Sequence, residues 1–257
     1  MAPNGKSINC RDVCLKFGEQ TQVLRGINLH VPGGRIVSLV GPSGCGKTTL
    51  LKCIAQLLPI DSGEVQIDDD DFSAANVATR QIAYVFQEPA LLPWRTAIEN
   101  ITLPLQLLRL GSTAEQMNQA MEVLQVVELS LDDAQKYPHQ LSGGMKMRVS
   151  LARALITDPA VLLLDEPFAA LDDMLRTRLT ELVIRLHRRR GCTIVLVTHN
   201  IGEAVLMSHE VAVMDRGRIG GHVTINLPSD RDSSLRRTPK FAELYGEVAD
   251  RLQEAIR

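Results

Sequence analysis

An eight-residue glycine-rich segment near the start of the chain constrains the fold more than any other feature. Gly41-Pro-Ser-Gly-Cys-Gly-Lys-Thr48 fits the pattern G-x-x-x-x-G-K-[ST]. The β-branched apolar run at residues 35–40 precedes it, and residues 47–58 behind it carry apolar side chains at helical spacing. A strand, a glycine loop and a helix in that order predict a phosphate-binding loop within a parallel α/β sheet.

The residue types of this loop suit phosphate chemistry. Glycines let backbone N–H groups converge on phosphate oxygens, and the start of the helix adds partial positive charge. Lys47 is predicted to reach the β- and γ-phosphates, and the hydroxyl of Thr48 to bind Mg²⁺. The alternative, a glycine-rich turn with a chance lysine, does not explain the flanking strand and helix. The nucleotide-binding residues predicted here are Gly41, Pro42, Ser43, Gly44, Cys45, Gly46, Lys47, Thr48 and Thr49.

A second motif places two carboxylates at the end of an apolar strand. Val161-Leu-Leu-Leu-Asp-Glu166 delivers Asp165 and Glu166 at the carboxyl edge, where α/β sheets bind ligands. Asp165 is predicted to hold the coordination shell of Mg²⁺. Glu166 is predicted to act as the general base that polarises the attacking water.

Composition excludes several classes of protein. The chain has 257 residues, a formal net charge of -2 and five scattered cysteines. So small a net charge provides no electrostatic field that would attract nucleic acid. The odd number of cysteines favours reduced thiols in the cytoplasm. The sequence predicts no membrane span and no secretory signal, so docking at a membrane would need another protein.

The rest of the chain divides by its hydrophobic pattern. Residues 160–164 and 193–197 are predicted as buried parallel strands, with a helix at 174–189 that ends at Gly191. Residues 91–157 have Leu/Met-rich helical patterns and are interpreted as a helical insertion. Antiparallel strands are predicted within residues 7–31, 64–67 and 81–86, a solvated acidic turn at 68–71 and an amphipathic helix at 241–256.

A tetrapeptide ahead of the carboxylate strand points to one family. Leu141-Ser-Gly-Gly144, followed by Arg148, resembles the signature motif of ABC-type ATPases. Ser142, Gly143 and Gly144 would form a second anion site at a helix start. The resemblance implies two subunits joined head to tail, with ATP between the phosphate loop of one and the signature of the other.

Further elements of this family follow in order along residues 8–221. Gln87 resembles the Q-loop glutamine that approaches Mg²⁺ and water, and residues 170–172 resemble the D-loop that crosses the dimer interface. His199 resembles the switch histidine that contacts the γ-phosphate. Phe17 stands where the family has an aromatic residue that stacks on adenine. Alone, a histidine or phenylalanine in such a place is more often structural.

The resemblance also implies a fold and its division. The expected fold is α/β: a P-loop NTPase (RecA-like) core with an antiparallel β subdomain and an inserted α-helical subdomain. The ATPase domain is expected at residues 7–245, with its core at 7–90 and 158–222 and the helical subdomain at 91–157. Residues 223–257 are expected to form a short C-terminal helical tail. One departure is Met145, since the family's signature commonly continues with glutamine; activity is still expected.

The stretch after Gln87 resembles a narrower group. Residues 91–101 are similar to the subfamily that serves importers of nitrate, sulfonate, taurine and related solutes. The likeness implies a cytoplasmic subunit at the inner face of the membrane, with permease subunits, a second copy of itself and a periplasmic or surface solute-binding protein. Trp94 could line the groove that accepts the permease, or could be a core residue. The competing function is a non-transport ABC-type ATPase or a regulatory module.

Overall fold

The computed structural model describes residues 5–18, 21–68 and 82–256, and these contain two β-sheets. The strands are β1 (Ile8–Phe17), β2 (Thr21–Val31), β3 (Ile36–Val40), β4 (Ser62–Ile67), β5 (Ile82–Val85), β6 (Val161–Asp165), β7 (Thr193–Val197), β8 (Glu210–Asp215) and β9 (Arg218–Thr224). The α-helices are α1 (Lys47–Ile54), α2 (Ala97–Leu107), α3 (Thr113–Val126), α4 (Leu131–Ala134), α5 (Gly143–Leu155), α6 (Asp173–Arg190), α7 (Ile201–Met207) and α8 (Pro239–Ile256). Short 3₁₀ helices lie at Pro138–Gln140 and Ser233–Arg237.

The larger sheet has the strand order β5-β6-β7-β3-β8-β9. All its neighbouring strands are parallel except β8 and β9, which are antiparallel. The smaller sheet is antiparallel with the order β2-β1-β4. A parallel core, an antiparallel sheet and a run of helices between β5 and β6 confirm the predicted fold class.

Alternate residues of each central strand enter two different hydrophobic cores. In β6, Leu162 and Leu164 pack on the side that carries most of the helices. Val161 and Leu163 pack on the other side, against α1 and the antiparallel sheet. Burial on both faces explains why these strands are continuous apolar runs in the sequence.

One strand prediction was wrong. Residues 82–85 of the segment 81–86 do not join the antiparallel sheet but form β5, which pairs in parallel with β6. Ala83 and Val85 contribute to the helical-side core, whereas Ile82 and Tyr84 pack toward the opposite one. Burial on both faces is typical of a strand in a parallel sheet.

Helix boundaries follow local backbone chemistry. Helix α6 ends at Gly191, which has the left-handed φ of 67° that glycine adopts without strain, as predicted. Helix α1 ends at Ile54, before the end of the helical pattern at residues 47–58, because Gln56 takes a positive φ of 56°. Of the acidic run at 68–71, Asp68 lies in a turn and accepts a hydrogen bond from the backbone N–H of Ser7; the other three residues lie outside the described ranges.

The helices of the insertion begin with well-defined caps. The side chains of Thr96 and Ser112 each cap a helix. In both cases the carboxylate of the glutamate three residues later accepts a hydrogen bond from the backbone N–H of the cap residue. None of the helices in the described part of the chain combines the length and apolar character that a bilayer crossing requires.

Candidate functional site

The parallel sheet brings four sequence motifs to one edge. The phosphate loop follows β3, Asp165 ends β6, His199 lies two residues beyond β7, and Gln87 lies two residues beyond β5. Because these four strands are parallel, all four motifs lie at the carboxyl edge. β3 lies between β7 and β8, at the point where the connections turn in opposite directions, which is where such sheets bind ligands.

The phosphate loop encloses its lysine. Lys47 is 5% exposed, and its ammonium donates to the backbone carbonyls of Gly41 and Pro42, both at 2.9 Å. Gly46 precedes α1 with a φ of 107°, a conformation that L side chains rarely adopt. A fixed cation at the start of a helix, with glycine amides around it, can bind a polyphosphate.

Gly41 is required by a close approach of β8 to the loop. A Cβ at this position would lie 2.0 Å from the backbone oxygen of Met214 and 2.9 Å from the sulfur of Cys45. A backbone carbonyl held in a central strand cannot move aside as a flexible side chain would.

We therefore expect Gly41→Ala to lower the free energy of unfolding by about 1–3 kcal/mol, the cost typical of overpacking. Gly143→Ala is the matched control, since a Cβ there meets nothing within 4 Å. Chemical denaturation of both variants checks this. Equal stability of the two variants would contradict the steric argument.

The hydroxyl of Thr48 and the carboxylate of Asp165 lie together, as the sequence predicted. The Thr48 hydroxyl donates to one oxygen of Asp165 at 2.7 Å. The hydroxyl of Tyr84 donates to the other oxygen at 2.8 Å. Burial, followed by the hydrogen bond to Asp165, raises the pKa of Tyr84, so its hydroxyl stays protonated as a donor.

Sequence reasoning missed Tyr84 because the strand that carries it was assigned to the wrong sheet. The register of β5 sets Tyr84 beside Leu163, two positions before Asp165. The available signal was the short apolar run around Tyr84, which matches the other buried strands in composition.

Glu166 and His199 form a pair at the same edge. The imidazole Nδ1 of His199 lies 3.3 Å from Oε2 of Glu166. The backbone N–H of Glu166 donates to the carbonyl of Val197 at 2.9 Å, and its φ is 46°. A non-glycine residue in this left-handed region is uncommon and is often found at functional sites. The bend turns the carboxylate from the strand toward the histidine.

Two other predicted residues are exposed in the structure. Gln87 is exposed beyond β5 and makes no hydrogen bond in the described part of the chain. Phe17 ends β1 with half of its surface exposed, so it is not a core residue. Both are accessible to a ligand at the sheet edge or to a partner.

The signature residues are not joined to the phosphate loop. Ser142 caps α5, where its hydroxyl accepts from the backbone N–H of Met145 at 3.3 Å. A Cβ on Gly144 would lie 2.2 Å from Leu175 of α6, whereas Gly143 faces open space. Within the described ranges, no hydrogen bond or ion pair links these residues to the phosphate loop.

Comparison with known proteins identifies the family. A family model described as ABC transporter matches residues 24–169, more than half of the chain. The chain belongs to the ABC transporter family. The match takes in the phosphate loop, the signature, Asp165 at the end of β6 and Glu166 just after it.

Individual ABC proteins extend the likeness over nearly the whole chain. The aliphatic sulfonates import ATP-binding protein SsuB 2 of Agrobacterium fabrum is 41% identical over 232 residues, covering 90% of this chain and 84% of that protein. SsuB of Pseudomonas entomophila is 39% identical over 248 residues, covering 96% and 86%. The sulfate/thiosulfate import ATP-binding protein CysA of Neisseria meningitidis is 43% identical over 216 residues, covering 83% and 60%.

A solved ABC structure agrees with the fold. The dimeric, post-hydrolysis ATP-binding cassette MJ0796, bound to ADP and Pi, superposes with a TM-score of 0.78 at 34% identity. The superposition covers 86% of this chain and 100% of that one. The chain is therefore an ATP-binding subunit of an ABC transporter, and an ATPase.

In this ABC subunit a partly buried ion pair connects two of the motif loops. Arg176 of α6 donates to the carbonyls of Phe168 and Leu171, next to the D-loop. Its guanidinium also lies 3.3 Å from Glu203, whose other oxygen accepts from the hydroxyl of Thr198 beside His199. Sequence reasoning missed this pair, because only the fold brings α6 and α7 together.

An apolar groove runs between β5 and α2. It is lined by Tyr84, Phe86, Leu103 and Leu107, among others, and has a volume of about 430 Å³. Leu107 is 74% exposed. Trp94, in the loop just before α2, is 71% exposed, so its interpretation as a core residue was wrong. Trp94 is not among the described residues that line this groove. Exposed apolar side chains at a groove, such as Leu107 here, are typical of interaction surfaces.

Proposed function

We propose that this ABC subunit energises the import of an aliphatic sulfonate, or a related small solute, through a separate membrane permease. The observation that carries the proposal is the likeness of about 40% identity, over nearly the full chain, to proteins named for aliphatic sulfonate import. CysA, named for sulfate/thiosulfate import, is similar to this chain at a comparable level. A sulfur oxyanion is therefore the favoured solute class.

The proposed work of the site begins with ATP. Lys47 and the amides of the phosphate loop hold the phosphates, together with Ser43 and Thr49, and Phe17 stacks on the adenine. Cys45 and Gly46 shape the loop. Since no hydrogen bond or ion pair among the described residues joins the signature to this loop, we propose that Ser142 and its glycines bind the ATP held by a second copy of the chain.

Magnesium fits the oxygen donors at the sheet edge. The Thr48 hydroxyl and the Asp165 carboxylate are hard ligands 2.7 Å apart, of the kind that Mg²⁺ prefers. We propose that these two residues hold the ion, with Gln87 approaching it. When bound, the ion would neutralise charge on the phosphates.

Hydrolysis is proposed to use Glu166 and His199. Glu166 accepts a proton from the attacking water, a role typically worth about 10²–10⁴ in rate. His199, already beside Glu166, holds the carboxylate in place and contacts the γ-phosphate. Loss of that phosphate removes the link between the two half-sites, and the pair of subunits reopens.

We further propose the division of the chain expected from the sequence. The ATPase domain occupies residues 7–245, and its helical subdomain at 91–157 carries the groove residues Leu103 and Leu107. Residues 223–257 act as the C-terminal tail. The subunit would lie in the cytoplasm, on the inner face of the membrane, with a coupling helix of the permease seated in the groove. A solute-binding protein would deliver the solute from outside.

Co-purification with the permease tests this function. We expect Leu107→Glu to abolish assembly with the permease, because it places a charge in the apolar groove, while ATP binding by the isolated subunit is retained. Leu131→Glu is the matched control, since Leu131 is 59% exposed and does not line the groove. The measurement is recovery of the permease with the tagged subunit, followed by ATP-dependent uptake of an alkanesulfonate into proteoliposomes.

Each outcome of this experiment has a distinct meaning. Recovery of no permease by the unchanged chain would favour the non-transport ATPase. Assembly with uptake of sulfate but not of an alkanesulfonate would contradict the proposed solute while keeping the importer. Equal assembly by Leu107→Glu and Leu131→Glu would contradict the groove as the docking site.

A further inference from the structure

A second cavity lies at the opposite end of the parallel sheet from the phosphate loop. Its volume is about 430 Å³, and it is lined by residues just before β3, at the start of β8 and after β9. Arg35 immediately precedes β3, whereas the phosphate loop follows that strand. A five-residue strand spans roughly 17 Å, so this cavity is separate from the nucleotide site.

A buried guanidinium forms one wall. Arg231 is 8% exposed, and among the described residues it donates to backbone carbonyls and to no carboxylate. Burial of a charge is costly, and carbonyl dipoles compensate it less completely than an anion would. The accepting carbonyls belong to Leu206, Ser208, Ile225, Leu227 and Pro228.

Arg35 adds a second cation with free donors. Its side chain is exposed, lines the cavity and makes no hydrogen bond or ion pair within the described residues. The five N–H donors of its guanidinium are therefore available, in a planar arrangement that suits oxyanions.

One histidine, His209, belongs to the polar wall, and a second, His187, packs beside it. The Nδ1 of His209 accepts from the backbone N–H of Ile36 at 3.0 Å, so the neutral ring carries its proton on Nε2. Its ring centroid lies 5.5 Å from that of His187. Burial, followed by Arg231, His187 and Arg35, lowers the pKa of His209 to about 4. At neutral pH, His209 is thus an uncharged N–H donor in a positive environment.

The acidic side chain of the wall is already paired. Of the described residues that line the cavity, Glu210 alone is acidic, and its carboxylate lies 2.6 Å from the ring of His222 across the β8–β9 pair. Thr224, Asn226 and Ser229 supply neutral polar groups around the opening. The cavity therefore combines surplus positive charge with unused hydrogen-bond donors.

We propose that this cavity binds a small tetrahedral oxyanion, of the sulfate or phosphate class, between the guanidinium of Arg35 and the imidazole of His209. Asn226 and Ser229 provide further donors at its rim. The buried charge of Arg231 attracts the ion from behind, although its own donors are occupied. The volume accommodates the ion together with bound water or a small organic substituent.

Histidine NMR on the full chain tests the site directly. Saturating ADP and Mg²⁺ first fill the phosphate loop, and sodium sulfate is then titrated at constant ionic strength against sodium chloride, with a parallel titration of inorganic phosphate. We expect saturable shifts of the His209 ring resonances with either oxyanion and none with chloride. Arg35→Gln should weaken this binding at least tenfold.

Arg109→Gln is the matched control, because Arg109 is an exposed arginine outside the cavity. It should leave the affinity unchanged, and thermal unfolding checks that Arg35→Gln is folded. Absence of saturation, an equal response to chloride, or equal effects of the two substitutions would overturn the site. A difference between the sulfate and phosphate affinities would identify which of the two oxyanions the cavity prefers. None of these results depends on the identity of the transported solute.

Discussion

Replacement of Glu166 with glutamine is expected to stop ATP turnover and to leave ATP binding intact. The amide keeps the size of the side chain and its position beside His199, but it cannot accept a proton from water. A loss of about 10²–10⁴ in rate follows, the typical contribution of a general base. Since the γ-phosphate is no longer removed, ATP should accumulate in a closed pair of subunits. Steady-state phosphate release and size-exclusion chromatography with ATP measure the two effects.

Glu122→Gln provides the comparison for this substitution. Glu122 is exposed on α3, far along the chain from the sheet edge, so the same chemical change there should preserve turnover. Continued ATP hydrolysis by Glu166→Gln at the rate of the unchanged chain would assign the base to another group. A hydrolysis-dead variant that stays monomeric with ATP would argue against a shared nucleotide.

Replacement of Lys47 with alanine is expected to remove tight ATP binding. The ammonium is buried within the loop and bonded to two of its carbonyls, so the substitution removes both the phosphate ligand and a support of the loop. A hydrogen bond to a charged group contributes about 1.5–3 kcal/mol, which corresponds to at least about tenfold in affinity. Fluorescent nucleotide titration measures the change.

Lys52→Ala is the control that separates the role of Lys47 in phosphate binding from its contribution to the stability of the helix that both residues share. Lys52 lies in the last turn of α1, away from the loop, and carries the same charge. Its substitution should leave the ATP affinity unchanged. Equal affinities of Lys47→Ala and the unchanged chain would mean that the loop does not hold the phosphates.

The sequence was most informative where structure is decided locally. The phosphate loop is a strand, a turn that needs glycine and a helix, all within about twenty residues. The cap of α6 at Gly191 and the apolar strand before Asp165 are equally local, so their positions could be predicted. The pairing of Thr48 with Asp165 followed from the rule that parallel strands present their carboxyl ends together.

Features that depend on distant pairing could not be predicted in the same way. Strand β5 has four residues, and so short an apolar run is compatible with either sheet; here it forms the edge strand of the parallel sheet, beside β6. Tyr84 was consequently missed as a partner of Asp165. The contact of Arg176 with Glu203 and the cluster around Arg231 also join segments far apart in the chain, where composition carries no information about proximity.

Tyr84 has two neighbours of different kinds. Its ring lines the apolar groove, and its hydroxyl bonds to Asp165. A transmembrane protein pressing on one side of this ring would thus be one side chain away from the reaction centre on the other. Because a single side chain connects the two, ATP hydrolysis would respond directly to the state of the permease, and little ATP would be hydrolysed while no solute is bound.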